Sequence, residues 1–289
     1  MKPAAFEYVA AASLDEAISA LAGSDGEGKV IAGGQSLVPL LNMRLARPAL
    51  LVDLNRVAGL DGIREENGSV VIGALTRQRD VELSALVAER QPLLHAATRF
   101  IAHPQIRNRG TVGGSIAHAD PAAEYPAVAI ALGAEMTVRG PDGARQVSAE
   151  DFFVSYLTTC LDTAEVLTEV RFPALPAGAG WGFVEFARRA GDFALAGAAV
   201  TLESDSGAIK NPRIALFGVG PTPFRATATE QLLAGERPNN TLIEAAGNKA
   251  YDEVEDPLSD VHASADYRKH LAGVMVRRAL KQAIERMAS

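Results

Sequence analysis

The chain carries a single cysteine, Cys160, among its 289 residues. One thiol excludes an intrachain disulfide. It also excludes an iron–sulfur cluster ligated by this chain alone, since such clusters normally take four thiolates. The five histidines, His95, His103, His118, His262 and His270, fall into no HExxH or similar spacing, so no metal site built from this chain is expected. No run of about eighteen apolar residues occurs, which leaves no membrane span to expect. The opening Met1-Lys2-Pro3-Ala4-Ala5-Phe6 has no long apolar stretch followed by a cleavage site, and a cytoplasmic location is the expectation. Positive charge is in deficit. The net charge of −7 argues against a general nucleic-acid binder. Two familiar nucleotide motifs are missing as well: there is neither a GxGxxG fingerprint nor a Gly-Lys-Ser/Thr P-loop.

What is present is glycine in pairs. Lys29-Val30-Ile31-Ala32-Gly33-Gly34-Gln35-Ser36 and Arg109-Gly110-Thr111-Val112-Gly113-Gly114-Ser115 share the form small-x-Gly-Gly-polar, eighty positions apart. Glycine lets a backbone approach a ligand and reach positive φ. Successive N–H groups at such a turn form a nest for an anion, which a following helix N-terminus reinforces. Two such loops can grip a pyrophosphate from both sides. Each loop alone reads first as a tight strand-to-helix turn, which glycine pairs serve in many folds.

At 48% hydrophobic and 22% charged residues, the composition is that of a globular protein, long enough for about two or three domains. A small αβαβ unit is expected first: a helix from Ser13 to Leu21 with Ser13 and Glu16 as a capping box, a strand at Lys29–Ile31, a helix capped by Ser36, and a strand at Leu50–Leu54. Strands at Ser69–Gly73, Met136–Val138 and Glu165–Phe172 follow. Helices lie between them at Arg77–Leu83 (capped by Thr76), Pro92–Ile101 and Pro121–Leu132, the last ended by Gly133. Ser148 to Asp151 resembles another capping-box start. Pro173 to Gly180 is the clearest linker. Beyond it come strands at Gly182–Ala187, Ala196–Leu202 and Arg213–Val219, then helices at Phe224–Leu233 and Tyr267–Met287, an α+β order.

Several residues carry two readings. Asp120 and Glu124 offer carboxylates to ribose hydroxyls or an adenine amine. They also suit a helix start, with Asp120 as N-cap, Pro121 at the first position and Glu124 closing a capping box. Arg107 and Arg109 can pair with phosphates or with a partner's carboxylates, or form a solvated basic turn. Phe193, after Arg188, Arg189 and Asp192, can cover a flat ring or fill a core. His103 and His118 show no partner that would orient an imidazole as a base. Cys160 reads as a buried, inert thiol.

Taken together, Ala32–Leu37, Thr111–Ala117, Asp120–Glu124 and Arg189–Ala194 resemble the FAD-binding medium subunit of the molybdenum hydroxylases, the carbon monoxide dehydrogenase and xanthine dehydrogenase flavoprotein family. The opening Pro3–Tyr8 and the late Tyr267–Ala272 share the likeness, which covers essentially the whole chain. The resemblance implies an α+β protein: a two-part FAD-binding domain of the p-cresol methylhydroxylase (PCMH) type, subdomain 1 at residues 1–57 and subdomain 2 at 58–175, followed by a flavoprotein C-terminal-type domain at 176–289. It implies that Val30, Ile31, Ala32, Gly33, Gly34, Gln35, Ser36 and Leu37 bind the cofactor with Thr111, Gly113, Gly114, Ser115 and Ala117, the backbone N–H groups of both loops holding the pyrophosphate. Asp120 and Glu124 would lie toward the ribose and adenine, Ile101, Ala102, Leu161 and Leu167 would line the cofactor, and Phe193 would approach the isoalloxazine.

By the same resemblance no residue of this chain is catalytic. A molybdenum-cofactor large subunit would hydroxylate the substrate, a [2Fe–2S] small subunit would relay the electrons, and this chain's FAD would pass them to an external acceptor. Gln35 stands where some relatives carry His, and Ser115 where others carry Asn or Asp. One branch holds an extra iron–sulfur cluster in this subunit, which the lone cysteine excludes here. The alternative reading is a self-sufficient PCMH-type flavin oxidoreductase acting directly on a small molecule. A third is a scaffold that has lost FAD, against which the intact glycines weigh.

Overall fold

The computed structural model describes residues 1–287. The chain first forms three parallel strands, β1 (Glu7–Ala10), β2 (Gly28–Ile31) and β3 (Leu50–Asp53), in the order β1-β3-β2, with helices α1 (Leu14–Ala22) and α2 (Leu37–Asn42) in the crossovers. The unit is therefore βαβαβ rather than αβαβ. The first strand went unread because it is short and its leading side chains are exposed, so no alternation marks it. Ser13 caps α1 as expected: its hydroxyl accepts from the Glu16 amide at 3.1 Å, while the Glu16 carboxylate accepts from the Ala12 amide at 2.7 Å. Ala17, Ile18 and Leu21 then bury one face of α1 against Val52 and Leu54. Ser36 does not cap α2. It already has near-helical dihedrals and makes no side-chain cap bond. The turn starts two residues earlier, where the Gly34 carbonyl accepts from the Val38 amide at 3.0 Å.

The second sheet is antiparallel, in the order β4 (Ile63–Glu66), β5 (Ser69–Gly73), β10 (Val166–Pro173), β6 (Glu135–Gly140), β7 (Gly143–Ser148), with a small hairpin of β8 (Phe153–Ser155) and β9 (Thr158–Thr159). Its helices are α3 (Gln78–Leu83), α4 (Ala85–Arg90), α5 (Pro92–Thr98), α6 (Pro104–Arg107), α7 (Val112–His118), α8 (Glu124–Leu132) and α9 (Ala149–Phe152). Helix α8 is apolar around its circumference beyond Glu124 and buried along its whole length, as a central helix must be. Gly133 ends it at φ 62°. Two expected caps differ. The Thr76 hydroxyl donates to the Gly62 carbonyl at 3.0 Å instead of capping α3. Asp120 accepts from the Ala122 amide at 2.9 Å in a turn before α8, so the helix begins at Glu124, not Pro121.

The third sheet runs β11 (Gly180–Phe186), β12 (Ala196–Asp205), β13 (Ala208–Phe217), β14 (Phe224–Arg225), all antiparallel, and is followed by α10 (Thr227–Leu233), α11 (Asn240–Glu253) and α12 (Ala265–Met287). Its two faces have different partners. Val184 and Phe186 of β11 pack with α12 in one core, while Phe183 joins the core beneath α8. There the Phe183 ring lies 5.1 Å from Phe100 and 5.6 Å from Phe217. That core runs from Val70 in the second sheet to Phe217 in the third.

Candidate functional site

The two glycine loops meet back to back. A Cβ on Gly33 would overlap the Arg109 carbonyl oxygen and stand 2.9 Å from the Gly110 Cα, so only glycine permits this approach. Gly34 sits at φ 73°, between the side chains of Ile31 and Val38. A Cβ on Gly114 would lie 3.9 Å from that of Ala32. Beyond β2, with its half-buried Val30 and Ile31, the amides of Gly33, Gly34, Gln35, Ser36 and Leu37 donate to no group among the described residues. The Gln35 side-chain amide bonds back to the Gly33 carbonyl at 3.0 Å, which leaves that row of N–H groups open. Consecutive unpaired, partly buried donors are what a diphosphate requires, and on this observation the residues fit FAD.

The second loop is built differently. The Val112, Gly113 and Ser115 amides donate to the carbonyls of Thr76 (3.0 Å), Ala74 (2.9 Å) and Thr111 (3.1 Å). The Gly114 amide donates to Thr111 Oγ1 at 3.0 Å, so Thr111 is the cap of α7. The expectation that both loops present free backbone N–H groups thus holds for the first loop only. The second supplies a rigid wall. Gly113 is demanded by the backbone of Ala74, against which a Cβ would collide.

Sequence reasoning missed the clamp that joins the loops. Arg77 donates to the Arg109 carbonyl at 2.6 Å and to the Asn55 side-chain oxygen at 2.7 Å, and Asn55 donates to the Ala32 carbonyl at 2.9 Å. Asp53 anchors Asn55 through bonds from its amide (2.8 Å) and side chain (2.6 Å). Burial pushes the Asp53 carboxyl up, but hydrogen bonds from Tyr8 and Asn55 outweigh it and hold the group below its ordinary value. A lone arginine and a lone asparagine in separate turns leave no pattern to read.

Arg107 is not a solvated turn residue. It is 6% exposed and grips Glu82 with two bonds, Nε to Oε2 at 2.9 Å and Nη2 to Oε1 at 3.1 Å. Its remaining nitrogen donates to the Ile101 carbonyl at 2.8 Å. It therefore fixes the turn of Ile101 and Ala102, where Ala102 is strained at φ 40°. The hydrogen bonds from Arg107 keep Glu82 ionised well below the usual carboxylate range. Arg109 is exposed. His103 lies over Gly191, where any Cβ would overlap the imidazole, and this brings the Arg188–Phe193 loop beside the Ile101–Ala102 turn. Phe193 is 65% exposed at the end of that loop, so it does not fill the core.

The remaining candidates are more scattered. Ala117 is exposed, and Leu37, Ser115, Asp120 and Leu161 are half-buried. Leu167 is a core residue of β10 that shares its cluster with Ile101, with Leu161 packed against it. Burial, opposed by Asp120, holds the half-buried His118 below its ordinary value. Glu124 is 7% exposed. Its desolvation, with Glu185 nearby, pushes its carboxyl up to about 8, and burial pushes Glu185 up to about 7.

Comparison with known proteins shows the family. Residues 4–175 match the family described as the FAD-binding domain in molybdopterin dehydrogenase, and residues 181–283 match the CO dehydrogenase flavoprotein C-terminal domain. The chain belongs to the FAD-binding medium subunits of the molybdenum hydroxylases, and its cofactor is FAD. It is 44% identical to the 6-hydroxypseudooxynicotine dehydrogenase complex subunit alpha of Paenarthrobacter nicotinovorans, covering 99% of this chain and 97% of that one. It is 41% identical to the carbon monoxide dehydrogenase medium chain of Hydrogenophaga pseudoflava, over the full length of both. The solved carbon monoxide dehydrogenase from that organism superposes with a TM-score of 0.96 at 43% identity, covering 99% of each chain. Quinoline 2-oxidoreductase from Pseudomonas putida 86 superposes at 0.94 with 39% identity, over all of both chains. The chain is thus an oxidoreductase subunit, and among the described residues no helix is long and apolar enough to cross a membrane.

Proposed function

We propose that this chain takes electrons from a [2Fe–2S] small subunit, in a complex whose large subunit holds the molybdenum cofactor, and delivers them through FAD to an external acceptor in the cytoplasm. The observation that carries the cofactor's placement is the row of unpaired amides from Gly33 to Leu37, walled by the second loop. In this reading those amides and Ser36 hold the diphosphate, with Ser115 opposite. Val30, Ile31, Ala32, Gln35, Thr111, Gly113, Gly114 and Ala117 shape the cradle. Asp120 and Glu124 lie toward one end, and Ile101, Ala102, Leu161, Leu167 and Phe193 border the ring. FAD supplies reversible electron transfer, and the protein supplies binding and orientation. The three units fall at 1–57, 58–175 and 176–289.

The complex is supported by what the relatives are: medium chains, or subunits of named dehydrogenase complexes. Their names span carbon monoxide, a nicotine derivative and caffeine, which suits a shared electron-transfer part and a substrate pocket on another polypeptide. The test is purification of the tagged full chain from its own cells with metal and flavin analysis. One FAD per chain with co-eluting molybdenum and iron supports the reading. Substrate hydroxylation by this chain alone, without molybdenum, defeats it. Mixing the reduced complex with nicotinamide, quinone and oxygen in turn identifies the acceptor by the fastest reoxidation, and cell fractionation tests the location.

A further inference from the structure

The side chain of Glu185 makes no hydrogen bond among the described residues, although its backbone pairs within the third sheet. Along β11, Phe183 faces the core beneath α8 while Val184 and Phe186 face α12, so the two-residue alternation turns Glu185 to the same side as Phe183, toward the first 175 residues. Along the chain it lies between two residues with fixed contacts to that unit. On one side the Phe183 ring meets Phe100, and on the other Gly191 meets His103. Both lead to the turn of Ile101 and Ala102 and to the loop bearing Phe193. The Glu185 Oε2 is buried and has no hydrogen-bond partner among the described residues. Its strand neighbour across the sheet is Gly197, which has no side chain to offer one.

A buried carboxyl oxygen without a donor is destabilising, and a bound ligand that supplies the donor removes that cost. We infer that Glu185 is a binding residue for the flavin half of the cofactor, its free oxygen accepting a hydrogen bond from an N–H of the isoalloxazine or a hydroxyl of the ribityl chain. The inference rests on the reading that Ile101, Ala102 and Phe193 border the flavin. The burial that raises the carboxyl to about 7 agrees with a group held out of water for a ligand.

The test uses the full chain, with and without FAD, and the variants Glu185→Leu and Glu185→Gln. Leucine removes an unsatisfied buried acceptor, so the FAD-free chain should melt at a higher temperature than wild type. The same variant should bind FAD about tenfold more weakly or worse, the weight of one hydrogen bond to a charged group. Glutamine keeps a carbonyl oxygen and should bind within a few-fold of wild type. ADP, which lacks the flavin half, should compete equally against all three proteins. A rise in melting temperature with a loss of FAD affinity is a split that a merely structural glutamate would not show. Unchanged FAD affinity in Glu185→Leu overturns the inference, as does a fall in its FAD-free melting temperature. Weaker ADP competition in that variant overturns the assignment to the flavin half. If wild type itself bound no FAD, the cofactor reading would fail instead.

Discussion

Gly33 is pressed against the carbonyl of Arg109, so the first glycine of the first loop is held by the second loop and not by a ligand. The spacing alone suggested that a side chain here would block phosphate. The structure shows that it would part the two loops.

Gly33→Val should therefore destabilise the chain by about 2–3 kcal/mol as well as release flavin, because the clash is with backbone that cannot swing away. Gly34→Ala should cost about 1 kcal/mol through its positive φ, with a smaller loss of FAD. The ratio of flavin to protein absorbance and a thermal melt measure both effects. Full flavin content in Gly33→Val would show that contact between the loops is dispensable.

Removing the clamp tests the same idea from its other side. Arg77→Met deletes the bonds to Asn55 and the Arg109 carbonyl while leaving the glycines in place. The expected result is FAD binding weakened by about tenfold, with a fall of about 1–2 kcal/mol in stability from the stranded carbonyl and amide. Isothermal titration against FAD, compared with Arg64→Met on the exposed edge of the second sheet, measures it.

The two arginines before the second loop should now behave differently. Arg107→Glu sets a second carboxylate at a buried position against half-buried Glu82 and frees the Ile101 turn, so it should cost about 3–5 kcal/mol and yield little folded protein. Arg109→Glu is exposed and should fold normally. Any effect it has will be on assembly with the partner subunits, visible as a slower, less salt-sensitive association. Circular dichroism of both variants checks the first expectation, and kinetic binding at two salt concentrations checks the second.

The raised carboxyls predict a pH dependence opposite to that of ordinary acid unfolding. Unfolded, Glu124 and Glu185 release their protons near 4.5; folded, they do so at about 8 and about 7. Between those values the folded state binds more protons, so stability should fall as pH rises from about 5 to about 8 and level off above. Asp120 nearby adds to the penalty on Glu124, and Arg107 partly offsets it. Carboxylates held low by arginines, such as Glu82 and Glu165, change only below 4.5 and do not enter this window, while His118, held low by burial, acts in the opposite direction below 6.5, as a single group against two. Denaturant midpoints of the FAD-free chain from pH 5 to 9 should show the slope, and Glu124→Gln should flatten it. A midpoint that rises across this range would rule out the buried acids as its source.

The sequence carried the glycine loops, the strands that are continuous apolar runs, such as Ser69–Gly73 and Ala196–Leu202, and the long α12. It hid three kinds of feature. Edge strands such as Ile63–Glu66 and Gly143–Ser148 are charged and exposed, with no buried face to impose alternation. Helix α11 went unread because its residues are mixed, although Asn239 caps it by accepting from the Leu242 amide at 2.9 Å. Long-range polar pairs left no local mark: Glu82 and Arg107 are 25 positions apart, and Arg77 reaches across 32 to Arg109. For the same reason Glu185 read as an ordinary strand residue.

The linker from Pro173 to Gly180 is a boundary in the chain but not in the packing. Phe183 and Phe217, beyond it, complete the core that Val70 begins before it. A hybrid that grafts one relative's C-terminal unit onto another's FAD-binding unit would carry a mismatched half of a shared interior, whatever the join. Inheritance in this family should accordingly pass the two units together, with recombination tolerated at the exposed ends and selected against at the seam that looks most permissive.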